Sequence, residues 1–170
     1  MPERAGWVTD THQRLTPVAI ALGANLGDRE GQLQQAVRGL REFLHQLAVS
    51  SFHDTVPVGV PHPQPNYLNA AVVGLTDLDP HALLERLLAI ERSLGRRRPH
   101  VNAPRTLDLD LILYGDVCLE TPSLTIPHPR FRTRAFVLQP LAEIAPAMVD
   151  PVTGHTVAGL LGNLPAPEVE

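Results

Sequence analysis

The chain has 170 residues, a net charge of −4, 44% hydrophobic residues and 19% charged ones. That is one domain's worth of chain, and the balance excludes both a disordered tail and a globally basic nucleic-acid or membrane-surface protein. A single cysteine, Cys118, excludes an intrachain disulfide framework and a CxxC zinc pattern. A reducing, cytoplasmic setting fits that cysteine usage. No run of about 18 apolar residues reads as a membrane span. Met1–Pro17 is polar and lacks the apolar stretch of a secretory signal. All fourteen basic residues are arginine, and seven of them fall between Arg96 and Arg134. That window carries only four acids (Asp108, Asp110, Asp116 and Glu120), so a locally basic region sits in an acidic chain. Such a distribution suits a small anionic ligand, such as a phosphorylated one, better than a polynucleotide.

Residues 1–16 read as a flexible N-terminal extension, 17–161 as a single catalytic domain and 162–170 as a C-terminal tail. Val18–Leu22 is a short apolar strand ended by Gly23. Asp28 can cap a helix whose apolar stripe is Leu33, Ala36, Val37, Leu40, Phe43, Leu44 and Leu47, at spacings of three and four. Val49–Thr55 reads as a second strand. Residues 56–66 hold four prolines (Pro57, Pro61, Pro63, Pro65), a density that excludes both a helix and a central strand. Tyr67–Leu75 is a third strand. Asp79-Pro80 starts a second helix, with Leu83, Leu84, Leu87, Leu88 and Leu94 on its apolar side and Gly95 as its stop. A basic loop, RRRPHVNAPR, leads into a fourth strand, Leu107–Leu113, and a short helix is expected within Ala135–Ile144 despite Pro140. The order β-α-β-β-α-β predicts an α+β, ferredoxin-like fold. It places two helices on one face of an antiparallel sheet and leaves the other face open for a site.

The most informative segment is Leu107-Asp108-Leu109-Asp110-Leu111-Ile112-Leu113. Alternation on a strand puts Leu107, Leu109, Leu111 and Leu113 on one face and Asp108 and Asp110 together on the other, with Cα atoms roughly 6.5–7 Å apart. Aspartate suits strand interiors poorly, and two like charges on one face repel. Divalent cations reverse that penalty, because Mg²⁺ takes carboxylate oxygens together with substrate phosphates. The plainer readings are a solvated strand face, or Asp108 paired with Arg105. Arg96, Arg98 and Arg105 lie on the loop entering this strand, where the guanidinium fork suits phosphate oxygens. A solvated basic loop after a helix C-terminus would look the same.

Tyr67 and Asn69 share a strand face, where a flat ring and a carboxamide can hold a planar heterocycle; a partly buried sheet pair is an equal reading. Phe136 is either a second stacking wall or core. The eight histidines show no zinc spacing. His128, beside Arg130 and Arg134, is the one candidate phosphate donor among them, and His45, His81 and His155 read as surface residues. GANLGD at 23–28 lacks the glycine spacing of a phosphate loop, and no GxSxG nucleophile signature occurs.

Six landmarks together resemble the 6-hydroxymethyl-7,8-dihydropterin pyrophosphokinase family of folate biosynthesis. They are ALGANLGDR (21–29), PNYLNAAV (65–72), the stretch from Ile90 to Arg98, PRTLDLDLILYG (104–115), TIPHPR (125–130) and RAFVLQPLAEIAP (134–146). The resemblance runs from about Val18 to Leu161. It implies transfer of the terminal diphosphate of ATP to the pterin's hydroxymethyl oxygen, with release of AMP. It implies two Mg²⁺ ions on Asp108 and Asp110, with Arg96 and Arg105 holding the triphosphate and assisting transfer. Arg98, Thr125, His128 and Arg134 match further nucleotide contacts, and Glu91 and Leu111 match positions near the adenosine. Gly23, Thr55, Val58, Tyr67, Asn69 and Phe136 match the pterin pocket.

The expected partners are those two small molecules, with no nucleic acid and no membrane, and the expected state is a monomer. Asn102 stands where the family often has an aromatic residue, and Ala103 where glycine is common. No strong general base is evident apart from Asp108 or Asp110. Two other classes fit a bare DxD and this fold: a nucleotidyl- or glycosyltransferase, and a non-catalytic ferredoxin-like module.

Overall fold

A computed structural model describes residues 14–25, 27–55, 67–94 and 107–165. The Pro-rich 56–66 and Arg-rich 95–106 segments lie outside them, and with them Val58, Arg96, Arg98, Asn102 and Arg105. So does most of the expected N-terminal extension.

Strand β1 (Thr16–Ala24) is followed by helix α1 (Arg29–Leu40), β2 (His45–Val49), β3 (His53–Thr55) and β4 (Tyr67–Thr76). Helix α2 (Pro80–Leu94) and β5 (Leu107–Tyr114) complete the β-α-β-β-α-β order, with β2 and β3 together in the place of its second strand. The sheet runs β2-β4-β1-β5, with β3 also on β4, and every pair is antiparallel. This is the expected ferredoxin-like arrangement. The helix starts follow the chemistry anticipated for them. Asp28 accepts from the Gly31 N–H at 3.0 Å, and Asp79 from the Ala82 N–H at 2.8 Å, each satisfying a donor the first turn leaves free.

Alternation along the strands creates two cores. Val18, Ile20 and Leu22 of β1 and Leu107, Leu109 and Leu111 of β5 pack under Leu33 and Leu40 of α1 and Leu83, Leu87 and Ile90 of α2. Each such side chain contributes about 1.5–3 kcal/mol of transfer free energy when fully buried. The opposite face is not left wholly open, as the sequence suggested. A one-turn 3₁₀ helix (Phe131–Thr133) and helices α3 (Ala135–Ile144) and α4 (Val157–Gly162) cover one end of it. Phe131, Val137, Leu138, Leu141, Val157 and Leu160 form a second core there with Ala19, Ala71, Ile112 and Leu113. Among the described residues, the end left uncovered is the one that bears Asp108, Gly23, Asn69 and Tyr67.

Three expectations are corrected in detail. The stripe read as helix through Leu47 breaks at Leu40. Residues 41–43 turn and β2 begins at His45, yet Phe43 and Leu44 remain buried in the first core. Burial therefore keeps a helix-like spacing across a change of backbone. The strand read over Val49–Thr55 is the end of β2 plus β3. Between them Ser50 alone holds the ladder: its N–H donates to Ala71 O, and its Oγ accepts from the Ala71 N–H, both at 2.9 Å. Leu113 leaves the leucine face, because the β1–β5 register shifts between Ala19 and Ile20, whose partners are Leu113 and Leu111. Such a bulge turns the next side chain over. Leu113 joins Ile112 in the second core, and Tyr114 returns to the first, its hydroxyl donating to Leu78 O at 2.6 Å.

Candidate active site

The uncovered end of the sheet is a platform of small residues. Gly23 pairs with Asp108 on one side and Asn69 on the other, and Asn69 pairs in turn with His53. Asp108, Gly23, Asn69 and His53 therefore form one row across β5, β1, β4 and β3, with their side chains on the same face. One step along, Asp110 stands opposite Ala21. The large residues of β1 all point down into the first core, so that Ala19, Ala21 and Gly23 make a shallow floor above the sheet.

A cleft of about 260 Å³ rests on this floor. Ala21, Leu22 and Gly23 form its base, Asp108 and Asp110 one side, and Tyr67 and Asn69 the other. Arg134, Phe136 and Val137 close it from above. Asn69 is only 5% exposed, and the Thr55 hydroxyl donates to its Oδ1 at 2.5 Å. This bond fixes the amide, whose Nδ2 lies toward Gly23. Phe136 by contrast is 39% exposed, a large apolar ring that lines the same cleft as Tyr67 and Asn69. Arg134, immediately before α3, holds its guanidinium 5.4 Å from the Phe136 ring centre. A planar heterocycle between the ring and the amide, with an anionic group beside the aspartates and the arginine, is what this arrangement can hold.

His128 stands near Asp110, Arg134 and Arg130. Burial holds its pKa below the ordinary imidazole value; the Asp110 charge opposes this, and the two arginines add to it. Its Nδ1 accepts from the Arg130 N–H at 3.2 Å, which leaves Nε2–H as the ring's donor. The chain enters this loop through a cis Ile126-Pro127 peptide bond.

The structure thus brings Gly23, Tyr67, Asn69, Asp108, Asp110, Arg134 and Phe136 into one cleft, with Thr55 and His128 at its edges. Three expected residues sit elsewhere. Glu91, on α2, accepts from the Leu109 N–H at 2.7 Å and so caps the outer edge of β5. The Leu111 side chain is sealed in the first core, on the face opposite the aspartates. Thr125, on the short β7 strand (Thr125–Ile126), which pairs with β6 (Leu119–Glu120), lines a neighbouring groove with Glu120 and Pro127.

Sequence reasoning missed Ala21 and Val137 as lining residues. The signal for the floor was present in the strict large-small alternation of Val18-Ala-Ile-Ala-Leu-Gly23. It also missed a polar cluster beyond Asn69, where Glu143 of α3 meets Ser51 and His53. The Ser51 N–H and hydroxyl donate to this carboxylate at 2.8–3.0 Å, and His53 Nε2 lies 2.6 Å from it. The Ser51 N–H, its hydroxyl and then His53 hold the Glu143 carboxyl below its usual pKa.

The donor set suits Mg²⁺ rather than a softer metal. Asp108 and Asp110 lie side by side, and no cluster of three or more His, Cys, Asp or Glu side chains arranged to hold a metal occurs among the described residues. Two carboxylates leave most coordination positions to phosphate and water oxygens, as Mg²⁺ prefers.

Residues 19–146 match a family model described as 7,8-dihydro-6-hydroxymethylpterin-pyrophosphokinase. The chain is 44% identical over 155 residues to 2-amino-4-hydroxy-6-hydroxymethyldihydropteridine pyrophosphokinase of Synechocystis sp., covering 90% of this chain and 78% of that one. It is 49% identical over 131 residues to the protein of the same name from Bacillus subtilis, covering 74% and 75%. A mitochondrial folate synthesis bifunctional protein of Arabidopsis thaliana is 42% identical over 134 residues, of which the chain spans only 24%. Among solved structures, wild-type Plasmodium falciparum HPPK-DHPS matches with a TM-score of 0.67 at 14% identity, covering 88% of this chain and 44% of that one. The same protein solved with pteroate gives 0.69 at 15%, covering 88% and 42%. At those identities the likeness speaks to the fold alone, and the chain spans less than half of those proteins.

Proposed function

The chain belongs to the 7,8-dihydro-6-hydroxymethylpterin-pyrophosphokinase family, and on that premise we propose how its cleft carries out the family's transfer. The enzyme is a pyrophosphokinase of folate biosynthesis that moves pyrophosphate onto hydroxymethyldihydropterin, with ATP as co-substrate. One observation carries the assignment of residues. The aspartate pair, the buried Asn69 amide and the exposed Phe136 ring share a single cleft, so a heterocycle and a phosphate chain bound there lie next to each other.

In this reading the pterin lies between Phe136 and the Tyr67–Asn69 side, over Gly23. Thr55 holds the Asn69 Oδ1, so Nδ2 is the amide's free end toward the ring's acceptors. Val58 belongs to the same pocket by resemblance. Asp108 and Asp110 would hold two Mg²⁺ ions, which when bound would supply charge neutralisation and polarisation at the triphosphate oxygens. Arg134 and the His128 Nε2–H face the same side and donate to phosphate oxygens. His128 does so as a neutral ring, because burial disfavours its charged form.

Arg96, Arg98 and Arg105 are assigned to the triphosphate by resemblance, with Arg96 and Arg105 assisting transfer. Leu111 can serve the adenosine only through its main chain. Glu91 keeps the β5 edge in shape for that contact, and Thr125 reaches it from the neighbouring groove. The single unit 17–161 acts as a cytoplasmic monomer in this proposal. Among the described residues no helix is long and apolar enough to cross a membrane.

The experiment is incubation with ATP, Mg²⁺ and 6-hydroxymethyl-7,8-dihydropterin, followed by identification of both products. The pterin diphosphate and AMP are expected in equal amounts. Release of ADP, or of free pyrophosphate, would refute the transfer as drawn.

A further inference from the structure

Strand β3 is three residues long and, among the described residues, pairs only with β4. Yet it carries Thr55, whose hydroxyl orients the buried Asn69. Among the described residues, two contacts tie β3 down from outside the sheet. One is the Arg29–Asp54 pair at 3.1 Å, half exposed on the Asp54 side; pairs of that kind contribute little. The other is Glu143, which accepts from the Ser51 N–H at 2.9 Å and from the Ser51 hydroxyl at 2.8 Å, and meets His53 Nε2 at 2.6 Å. Three polar contacts on one carboxylate fix both its position and that of the chain entering β3. Glu143 lies seven residues beyond Phe136 on α3, two helical turns along the same side. The helix that presents the exposed ring on one wall of the cleft therefore also holds the strand that orients the amide on the other.

We propose that Glu143 is a positioning residue for the pterin: by clamping Ser51 and His53 it fixes the spacing between the Phe136 wall and the Thr55–Asn69 wall. The proposal rests on the assignment of this cleft to the pterin. Glu143 touches neither substrate nor the reacting atoms. Its side chain is 37% exposed, so its loss opens no cavity in the core.

The test is steady-state kinetics with each substrate varied separately, alongside thermal melting. Glu143→Ala raises the pterin KM about tenfold, as misplacing a wall of a small site does, and leaves the KM for MgATP and the melting midpoint near wild type. Glu143→Gln keeps an acceptor for the Ser51 N–H and restores most of the pterin KM. Ser51→Ala, which retains that N–H, gives a smaller rise in the same direction. Asn69→Ala serves as the reference for the cleft itself. If Asn69→Ala raises the pterin KM and Glu143→Ala does not, the clamp is wrong and the pocket stands. If neither does, the pterin lies elsewhere and the clamp falls with the pocket. Equal losses for both substrates, a parallel fall in melting midpoint, or no rescue by Glu143→Gln would make the cluster merely structural and overturn the proposal.

Discussion

A Cβ at Gly23 would stand 3.2 Å from Asn69 Nδ2. Asn69 has little room to give way, because it is buried and its other end is held by Thr55. Gly23→Ala is therefore expected to displace the amide and cost about 1–2 kcal/mol of pterin affinity, the worth of one misplaced hydrogen bond. Titration calorimetry with the pterin checks this, and nucleotide affinity should be unchanged. Asp108 and Asp110 pose the opposite problem, two like charges set on one face. Asp108→Asn or Asp110→Asn should reduce turnover below about a tenth of wild type at saturating Mg²⁺, because carboxylate oxygens are what a hard cation requires. The same variants should fold normally, because both side chains lie on the face of the sheet away from the first core. A variant that melts early would make the aspartates structural. At this scale the sequence was informative because charge in a strand interior is costly and stands out. Glu143, Ser51 and His53 were illegible for the converse reason: polar residues in surface positions look ordinary until the fold places residues 92 apart side by side.

Elements were legible where one physical rule decided them, and less so where two competed. Asp28 and Asp79-Pro80 started α1 and α2 as capping chemistry requires. The end of α1 was misread because burial, not backbone, set the spacing of Phe43 and Leu44. The bulge at Leu111–Leu113 could not be read, since an apolar run packs on either face. The C-terminal end escaped entirely: an isolated bridge joins Val149 to Thr156, and α4 follows. Its anchor is Asp150, 0% exposed. It accepts from Arg132 at 2.5 and 3.0 Å, from the Val152 N–H at 3.1 Å and from the Thr153 hydroxyl at 2.7 Å. Burial alone would raise this carboxyl's pKa, but the Arg132 hydrogen bonds and the two local donors outweigh it and hold the pKa at about 2. A depressed folded-state pKa stabilises the fold above the unfolded value near 3.8 and loses that contribution as pH falls toward 2. Asp150→Asn should therefore flatten the acid limb of the stability curve between about pH 4 and 2, removing about 2 kcal/mol of its pH dependence. Arg132→Ala should be worse at neutral pH, by about 3 kcal/mol, because it strands a buried carboxylate. Urea titrations across that pH range distinguish the two.

The acidic chain concentrates its arginines in the 96–134 window, and in the folded molecule the DxD strand of that window runs along the cleft's edge. Charge distribution and strand alternation together made the ligand class readable before the fold, because both are properties of local sequence. What they could not convey is that α3 and α4 cover one end of the second face, so that the cleft forms at the end bearing Gly23 and Asn69. Ligands that bind only the folded state raise its stability by RT ln(1 + [L]/Kd), about 2.7 kcal/mol at a hundredfold excess over Kd. For a domain of this size that corresponds to a rise of about 5–10 °C in melting midpoint. A non-hydrolysable ATP analogue with Mg²⁺ should produce a shift of that order, and the analogue with EDTA much less, because the aspartates then repel the phosphates they would otherwise share a cation with. Asp110→Asn should narrow the gap between the two conditions from both sides, weakening the Mg²⁺-dependent shift and relieving the repulsion without it. Differential scanning calorimetry of both proteins under both conditions decides the matter. Equal shifts with and without Mg²⁺ in the wild type would mean that the nucleotide binds through arginines alone, and would remove the metal from Asp108 and Asp110.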